Sequence, residues 1–196
     1  MAITTEQVKE LRDKTSISVM QCKKALEDAG GDMEKAMIIL QKKGAEIAAK
    51  KGERVLNASV IASYIHASGT AGAMVEIACE TDFVAKNEDF KAIARDIAMH
   101  ITAQKPKYVK AEDINEKDIA MVKEIFLPEV DGKPEEMKEK ILKGKMDAYF
   151  KEKVLLDQEF IKNPELTISN LLESAVQKFG EKTEIIRFVR YASLEE

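Results

Sequence analysis

Polar residues that favour helix starts precede two short amphipathic segments in the first thirty residues of this 196-residue chain. Thr4 is followed three residues later by Gln7, and Ser18 is followed in the same way by Gln21. Each pair fits a capping box, in which the hydroxyl and the amide side chain satisfy backbone N–H groups reciprocally. The pattern therefore predicts two helices that begin beside these residues.

A third helix is predicted to begin at Asp32, a favourable N-cap residue, and to end at Gly44. The Ala-rich, charged stretch AEIAAKKGER that follows is typical of a connector. Helices of about three turns do not persist alone in water. We therefore predict that the three helices pack together as a module, which with its connector covers residues 1–53.

Beyond the connector, runs of alternating apolar and polar residues predict strands. NASVIASYIHA and GAMVEIACE flank the small-residue sequence SGTAG, which is typical of a hairpin loop. In the second run Val75, Ile77 and Cys79 share one face. A last strand is predicted at EIIRFVRYA, and helical spacing dominates between the runs. Residues 54–196 are therefore expected to form an α+β domain with a small three-stranded antiparallel sheet, helices and a helical hairpin.

The helical hairpin is expected at roughly residues 134–163. Pro134 fits the first position of a lysine-rich helix. VLLDQEF then breaks the helical period and is predicted to run extended back along that helix. Later in the chain, Thr167 and Gly180 are expected to begin and end another helix.

Composition and charge exclude several classes of protein. Hydrophobic residues at 45% and charged residues at 34% are typical of an ordinary globular chain. A net charge of −4 argues against a general binder of nucleic acid or acidic membranes. No apolar run approaches the length of a membrane span, and MAITTEQVKE lacks the features of a signal or transit peptide. With two cysteines that lack framework spacing, we expect a cytoplasmic protein.

The motifs of enzymes and metal sites are missing from the sequence. It contains neither a phosphate-binding G-x-x-x-x-G-K-[ST] loop nor a G-x-S-x-G nucleophile elbow, and no Cys or His pair at metal spacing. His66 and His100 are far apart in sequence, and a hydrogen-bonded structural role is the default for each. Cys22 and Cys79 follow apolar periodicities and are expected in the core. We therefore predict a binding protein without cofactor, bound metal or enzymatic reaction.

Two apolar side chains are candidates for contacts with a partner. If Val19, Cys22 and the residues at helical spacing after them face the core of the module, Met20 is rotated about 100° away and protrudes; packing on the connector is the alternative. Phe83 lies in TDFVAK, between the second strand and Asn87, a predicted N-cap. Composition favours Phe83 as a staple packed on its own chain. The alternative is an aromatic side chain directed at another molecule.

Several stretches resemble one known family in register. They are VKELRDKTSISVMQCKKALEDAGGDMEKA, ETDFVAKN, IAMHITAQKP, EKILKGKMDAYFKEKVLLDQEF, and TISNLLESAV followed by IRF. Together they are similar to translation elongation factor Ts over essentially the whole chain. The resemblance implies an N-terminal module similar to ubiquitin-associated three-helix domains. It also implies guanine-nucleotide exchange on elongation factor Tu, through binding of its GDP-bound and nucleotide-free forms.

The resemblance also implies which residues carry that function. The Asp-Phe pair of the family corresponds to Asp82 and Phe83, supported by Val84, Ala85 and Lys86. This loop is expected to enter the GTPase domain of the partner, displace Mg²⁺ and disturb the phosphate-binding loop, so that GDP leaves.

The N-terminal module is expected to dock beside the loop, and the resemblance gives contact roles to Leu11, Val19, Met20 and Lys23. His66 matches a strand-tip contact of longer relatives, which carry a second strand-hairpin unit. Some short members of the family pair through their core domains, so a homodimer is also open. The alternative function is a ubiquitin-associated-like or ribosome-associated scaffold without exchange activity.

Overall fold

The computed structural model describes residues 3–15, 17–132 and 134–194. The α-helices of these residues are α1 (Thr5–Thr15), α2 (Val19–Asp28), α3 (Met33–Lys50), α4 (Asp82–Ala85), α5 (Glu88–Gln104), α6 (Glu116–Phe126), α7 (Glu135–Lys151) and α8 (Ile168–Phe179). The strands are β1 (Ala58–Ile65), β2 (Ala71–Cys79), β3 (Glu159–Phe160), β4 (Asn163–Thr167) and β5 (Thr183–Ala192). The predicted α+β class is confirmed.

The N-terminal helices share a closed apolar core, as their sequence pattern predicts. Its buried residues are Val8, Leu11, Ile17, Cys22, Ala25, Leu26, Ala36, Met37 and Leu40. The first capping box forms completely, since the Gln7 N–H donates to Thr4 Oγ1 at 3.2 Å and the Thr4 N–H donates to Gln7 Oε1 at 3.1 Å. The second forms by half: Ser18 caps α2, but Gln21 Oε1 accepts a hydrogen bond from Gln177 Nε2 of α8 at 2.8 Å.

Helix α3 contradicts the predicted stop at Gly44, because it continues through the expected connector to Lys50. Gly44 is buried where α3 crosses α8. A Cβ atom at this position would lie 3.4 Å from both the Cβ and the carbonyl oxygen of Glu173. A methyl group would just reach contact with Glu173, and a larger side chain would collide with α8, so Gly44 lies at a helix–helix contact and does not end α3.

The predicted three-stranded antiparallel sheet is confirmed, with β2 in its centre between β1 and β5. Ile65 pairs with Gly72 at one end of the sheet, and Cys79 pairs with Thr183 at the other. Helices α5 and α8 contribute Phe90, Ile97 and Leu172 among others to the main core on one face. Gly180 ends α8 in the left-handed region, at φ 71°.

Helix α7 pairs with α6, and not with the residues that follow it. The two helices and adjoining segments bury Tyr108, Val122, Phe150 and Val154 together. The sequence VLLDQEF does leave the helical period, but its expected course back along α7 is wrong. Leu155 and Leu156 donate their N–H groups to the carbonyls of Tyr108 and Val109 at 2.8 and 3.1 Å. The 3₁₀ helix Leu155–Asp157 and the short β3–β4 hairpin follow, so residues 134–163 contain a single α-helix.

His100 is fully buried between α5 and the β3–β4 hairpin. Its Nδ1 accepts the Ile161 N–H at 3.3 Å, which leaves the proton on Nε2 to be donated to Gln158 Oε1 at 3.0 Å. Burial lowers the pKa of the imidazole, because the charged form cannot be solvated there. His100 is therefore a neutral, hydrogen-bonded residue of the interior.

Candidate partner-binding site

The stretch that contains Phe83 folds as a separate turn at the edge of the sheet. After β2 the chain forms the single turn of α4, and Asn87 then begins α5 by accepting the Asp89 N–H at 2.9 Å. The inner face of α4 is made of Val84 and Ala85, which are buried in the main core. Val84 and Ala85 therefore anchor the turn and lie too deep for direct contact with a partner.

The outer face of α4 carries Asp82 and Phe83. The residue Phe83 is 83% exposed, so the staple interpretation favoured by composition is wrong. Lys86 Nζ lies 2.9 Å from Asp82 Oδ2, and both side chains are largely exposed. An ion pair of this kind contributes little stability and can be exchanged for other partners.

Cys79 lies beneath the turn, fully buried, and its thiol donates to the Thr81 carbonyl oxygen at 3.3 Å. Burial raises the pKa of this thiol, with a further increase from the Glu181 carboxylate nearby. Cys79 is therefore protonated at neutral pH and has a packing role.

A second exposed apolar residue, Met20, lies at the start of α2. It is 82% exposed, and it does not pack on the segment after Gly44. Val19 is half-exposed instead of facing the core, since it is the first residue of its helix. Together with Lys23 it lines a shallow groove of about 300 Å³ between α1 and α2.

The contact role expected for Leu11 is wrong. This residue is fully buried, because Val8, Leu11 and Thr15 form the inward stripe of α1. Any effect of Leu11 on a partner must act through the packing of the module.

His66 follows β1 at the far end of the sheet from α4. Its Nδ1 lies 2.8 Å from the hydroxyl of Ser68, and the side chain is exposed. The nine residues of β2 separate the two ends, which at about 3.3 Å per residue is roughly 26 Å. The structure therefore brings Asp82 and Phe83 together on α4, whereas His66 lies at the opposite end of the sheet.

Comparison with known proteins identifies the family of the chain. The family model described as Elongation factor TS matches residues 2–195. The chain belongs to the elongation factor Ts family. It is 50% identical over 192 residues to elongation factor Ts of Thermodesulfovibrio yellowstonii, covering 97% of this chain and 96% of the relative. It is 49% identical over 191 residues to that of Carboxydothermus hydrogenoformans, covering 96% and 88%.

Membership of the elongation factor Ts family supports a role in nucleotide exchange on elongation factor Tu. Among the described residues, no helix is long and apolar enough to cross a membrane. In the same part of the chain, no cluster of three or more His, Cys, Asp or Glu side chains is arranged to hold a metal ion.

Sequence reasoning missed the residues that hold α4 in place. The carboxylate of Glu181 accepts hydrogen bonds from both the N–H and the hydroxyl of Thr81, at 2.9 and 2.6 Å. Glu80 accepts the Lys182 N–H at 2.6 Å, and this bond lowers the pKa of its carboxyl. These pairs are about one hundred residues apart in sequence, so only the strand register could have indicated them.

Proposed function

We propose that this chain releases GDP from elongation factor Tu by inserting the outer face of α4 beside the nucleotide site of the partner. Asp82 and Phe83 form the inserted tip, with Lys86 at its side. The exposure of Phe83 on an anchored turn is the observation that supports this role most strongly. An aromatic side chain that contributes nothing to its own fold is typical of a contact residue in an interface.

The tip acts on the Mg²⁺ ion of the bound nucleotide. That ion is often the largest local charge in a phosphate site, so displacing it or its ligands is an efficient way to weaken nucleotide binding. Asp82 is an exposed carboxylate with one exposed partner, Lys86, and it can exchange that partner for groups at the phosphate site. The N–H groups and cations of a phosphate-binding loop are suitable groups for it.

Phe83 alone cannot supply the required free energy. A shift of a two-state equilibrium from 1:99 to 99:1 needs about 5.5 kcal/mol of differential binding, whereas burial of one phenylalanine yields about 1.5–3 kcal/mol. A second surface is therefore required, and Met20, Val19 and Lys23 on the N-terminal module provide it. The whole interface should exceed about 1,000 Å².

Binding of the chain to elongation factor Tu and binding of GDP to it are thermodynamically linked. If the chain weakens GDP binding, GDP must weaken binding of the chain by the same factor. In the proposed cycle the chain binds the GDP form, remains on the nucleotide-free form and is released by GTP in excess. We propose that it does this in the cytoplasm, as a non-enzymatic factor without cofactor and without direct contact with nucleic acid or membrane.

The deciding experiment is release of fluorescent GDP from elongation factor Tu. Addition of the chain should accelerate release in a saturable manner, and excess Mg²⁺ should oppose it. A complex that forms without faster release would indicate the scaffold function and contradict the proposal. No complex and no release would contradict both.

Asp82→Ala tests the tip within the same assay, and Glu88→Ala is its matched control. Each substitution removes an exposed carboxylate that pairs at 2.9 Å with a nearby lysine, Lys86 or Lys91. Asp82→Ala should slow GDP release about tenfold, as expected for loss of one charge-assisted hydrogen bond. Equal effects of the two variants would instead indicate a nonspecific effect of surface charge.

The outer face of the sheet supports pairing of two copies. It exposes Ile61, Ile65, Met74, Val189 and Tyr191, an apolar surface that a second sheet can cover face to face. We propose a homodimer through this face. Sedimentation equilibrium should give twice the chain mass at micromolar concentration, and a mass of one chain would contradict it.

A further inference from the structure

The pairing between β2 and β5 continues past its last backbone partners through two carboxylates. The register ends with Cys79 opposite Thr183. At the next position, Glu80 accepts the backbone N–H of Lys182. One position further, Glu181 accepts the backbone N–H of Thr81. Each carboxylate thus does what a carbonyl oxygen does within the ladder, and the segments that extend β2 and precede β5 are held together as far as Thr81, the N-cap residue of α4.

Helix α4 depends on this arrangement. A single helical turn is not stable alone, and its own backbone bonds run from the Ala85 N–H to Thr81 and from the Lys86 N–H to Asp82, at 3.2 and 3.0 Å. Thr81 occupies the N-cap position but makes no side-chain cap to α4. Its hydroxyl donates a hydrogen bond to Glu181 instead. The place of the turn is therefore set by Glu181 on one side and by the buried residues of α4 on the other.

We propose that Glu181 is a positioning residue for nucleotide exchange, which fixes Thr81 and thereby directs Asp82 and Phe83. This inference rests on the function proposed above. Hydrogen bonds to an ionised acceptor are stronger than neutral ones, and two of them on one residue fix its orientation. Because the turn is already ordered in the free chain, binding does not cost the conformational entropy of ordering it.

Glu181 is a cleaner test of this role than Glu80. The second oxygen of Glu80 accepts a hydrogen bond from Arg54 at 2.9 Å, and Lys182 Nζ donates to the Gly52 carbonyl oxygen at 2.7 Å. Removal of Glu80 would also loosen the segment that follows α3. Both carboxylate oxygens of Glu181 accept hydrogen bonds from Thr81.

The first experiment measures amide hydrogen exchange of the chain by itself. In Glu181→Ala the amides of Ala85 and Lys86 should exchange about tenfold faster, as expected on loss of hydrogen bonds to a charged acceptor, while amides of β2 stay protected. The control is Glu184→Ala, which removes a carboxylate of β5 that lies 3.1 Å from Lys182 Nζ, three residues after Glu181. Unchanged exchange at α4 in Glu181→Ala overturns the proposal, whatever the activity of the wild-type chain.

The second experiment measures GDP release from elongation factor Tu against the concentration of the chain. Glu181→Ala should lower the maximal rate about tenfold and change the half-saturating concentration less than about twofold, because the docking surfaces remain. Glu181→Gln keeps an acceptor oxygen and should restore most of the rate. If Glu181→Gln leaves amide exchange of Ala85 and Lys86 at the wild-type rate but releases GDP as slowly as Glu181→Ala, the charge acts on the partner directly and positioning is overturned. If the wild-type chain releases no GDP, the proposed function fails, and hydrogen exchange alone decides whether Glu181 holds the turn.

Discussion

Replacement of Phe83 by alanine should reduce nucleotide exchange without destabilising the fold. Full burial of a phenylalanine is worth about 1.5–3 kcal/mol, and 83% of the residue is available to be buried by a partner. The lost interaction is therefore about 1–2.5 kcal/mol, which corresponds to a reduction of about 5- to 70-fold. Exposed substitutions of this kind change the free energy of unfolding by about 0.5 kcal/mol or less.

Two measurements on one preparation separate the effects. The GDP-release assay gives the change in maximal rate and in half-saturating concentration for Phe83→Ala. Thermal unfolding followed by circular dichroism gives the change in Tm, which should stay within about 2 °C for a chain of this length.

Phe90 supplies the matched comparison, seven residues later. It is 1% exposed, and its ring packs edge-on against Phe179 with centroids 5.5 Å apart. Phe90→Ala should cost about 3–5 kcal/mol of stability and lower Tm by about 10 °C. A comparable drop in Phe83→Ala would show that Phe83 packs on its own chain. If Phe83→Ala released GDP at the wild-type rate, Phe83 would have no part in the mechanism.

Two further predictions concern stability. Gly44→Ala should raise the free energy of unfolding by about 0.5–1 kcal/mol, because the new Cβ meets Glu173 at ordinary contact distance and favours the helix. Gly44→Leu should lower it by about 1–3 kcal/mol; urea unfolding of both variants measures this, and stabilisation by leucine would contradict the close approach. The lowered pKa of His100 means that below pH 6.5 the unfolded chain binds more protons than the folded chain, so stability falls on acidification by up to about 1.4 kcal/mol per pH unit. Urea unfolding between pH 7.5 and 5.5 gives the free energy of unfolding at each pH; it should fall less on acidification in His100→Asn than in the wild-type chain, and an equal fall in both would contradict this role of His100.

Local patterns predicted the elements well wherever the signal was itself local. The hydroxyl and amide pair at Thr4 and Gln7 forms the capping box that its spacing indicates. The apolar alternation of β2 places Val75 and Ile77 in the core. Asn87 begins α5, which separates α4 from the helix and leaves Phe83 outside the apolar stripe.

The predictions failed where distant segments decide the structure. A glycine after an amphipathic run favours a helix end, but Gly44 lies within α3 and faces Glu173 of α8, more than a hundred residues away in sequence. Gln21 has the right spacing for a capping box, yet it bonds to Gln177. Periodicity could not show that VLLDQEF pairs with the segment after α5, because that pairing depends on where α6 folds.

The candidate site was predicted in part, for the same reason. The outward position of Met20 follows from a helical rotation and was accessible to sequence reasoning. The apolar spacing of α1 could also have predicted the burial of Leu11, but the family resemblance gave this residue a contact role. The support of α4 by Glu181 depends on the register of β2 with β5, which no local pattern encodes.

The continuous course of α3, its contact with α8 and the bond from Lys51 Nζ to the Gly180 carbonyl oxygen join the module to the rest of the chain. Met20 and Phe83 are therefore carried on connected elements with a preset separation. A partner that engages one of them meets the other as an intramolecular ligand, at an effective concentration governed by that rigidity. Flexible residues inserted after Lys50 would lower this effective concentration. They would therefore weaken binding through the two surfaces together, although the residues of each surface would be unchanged.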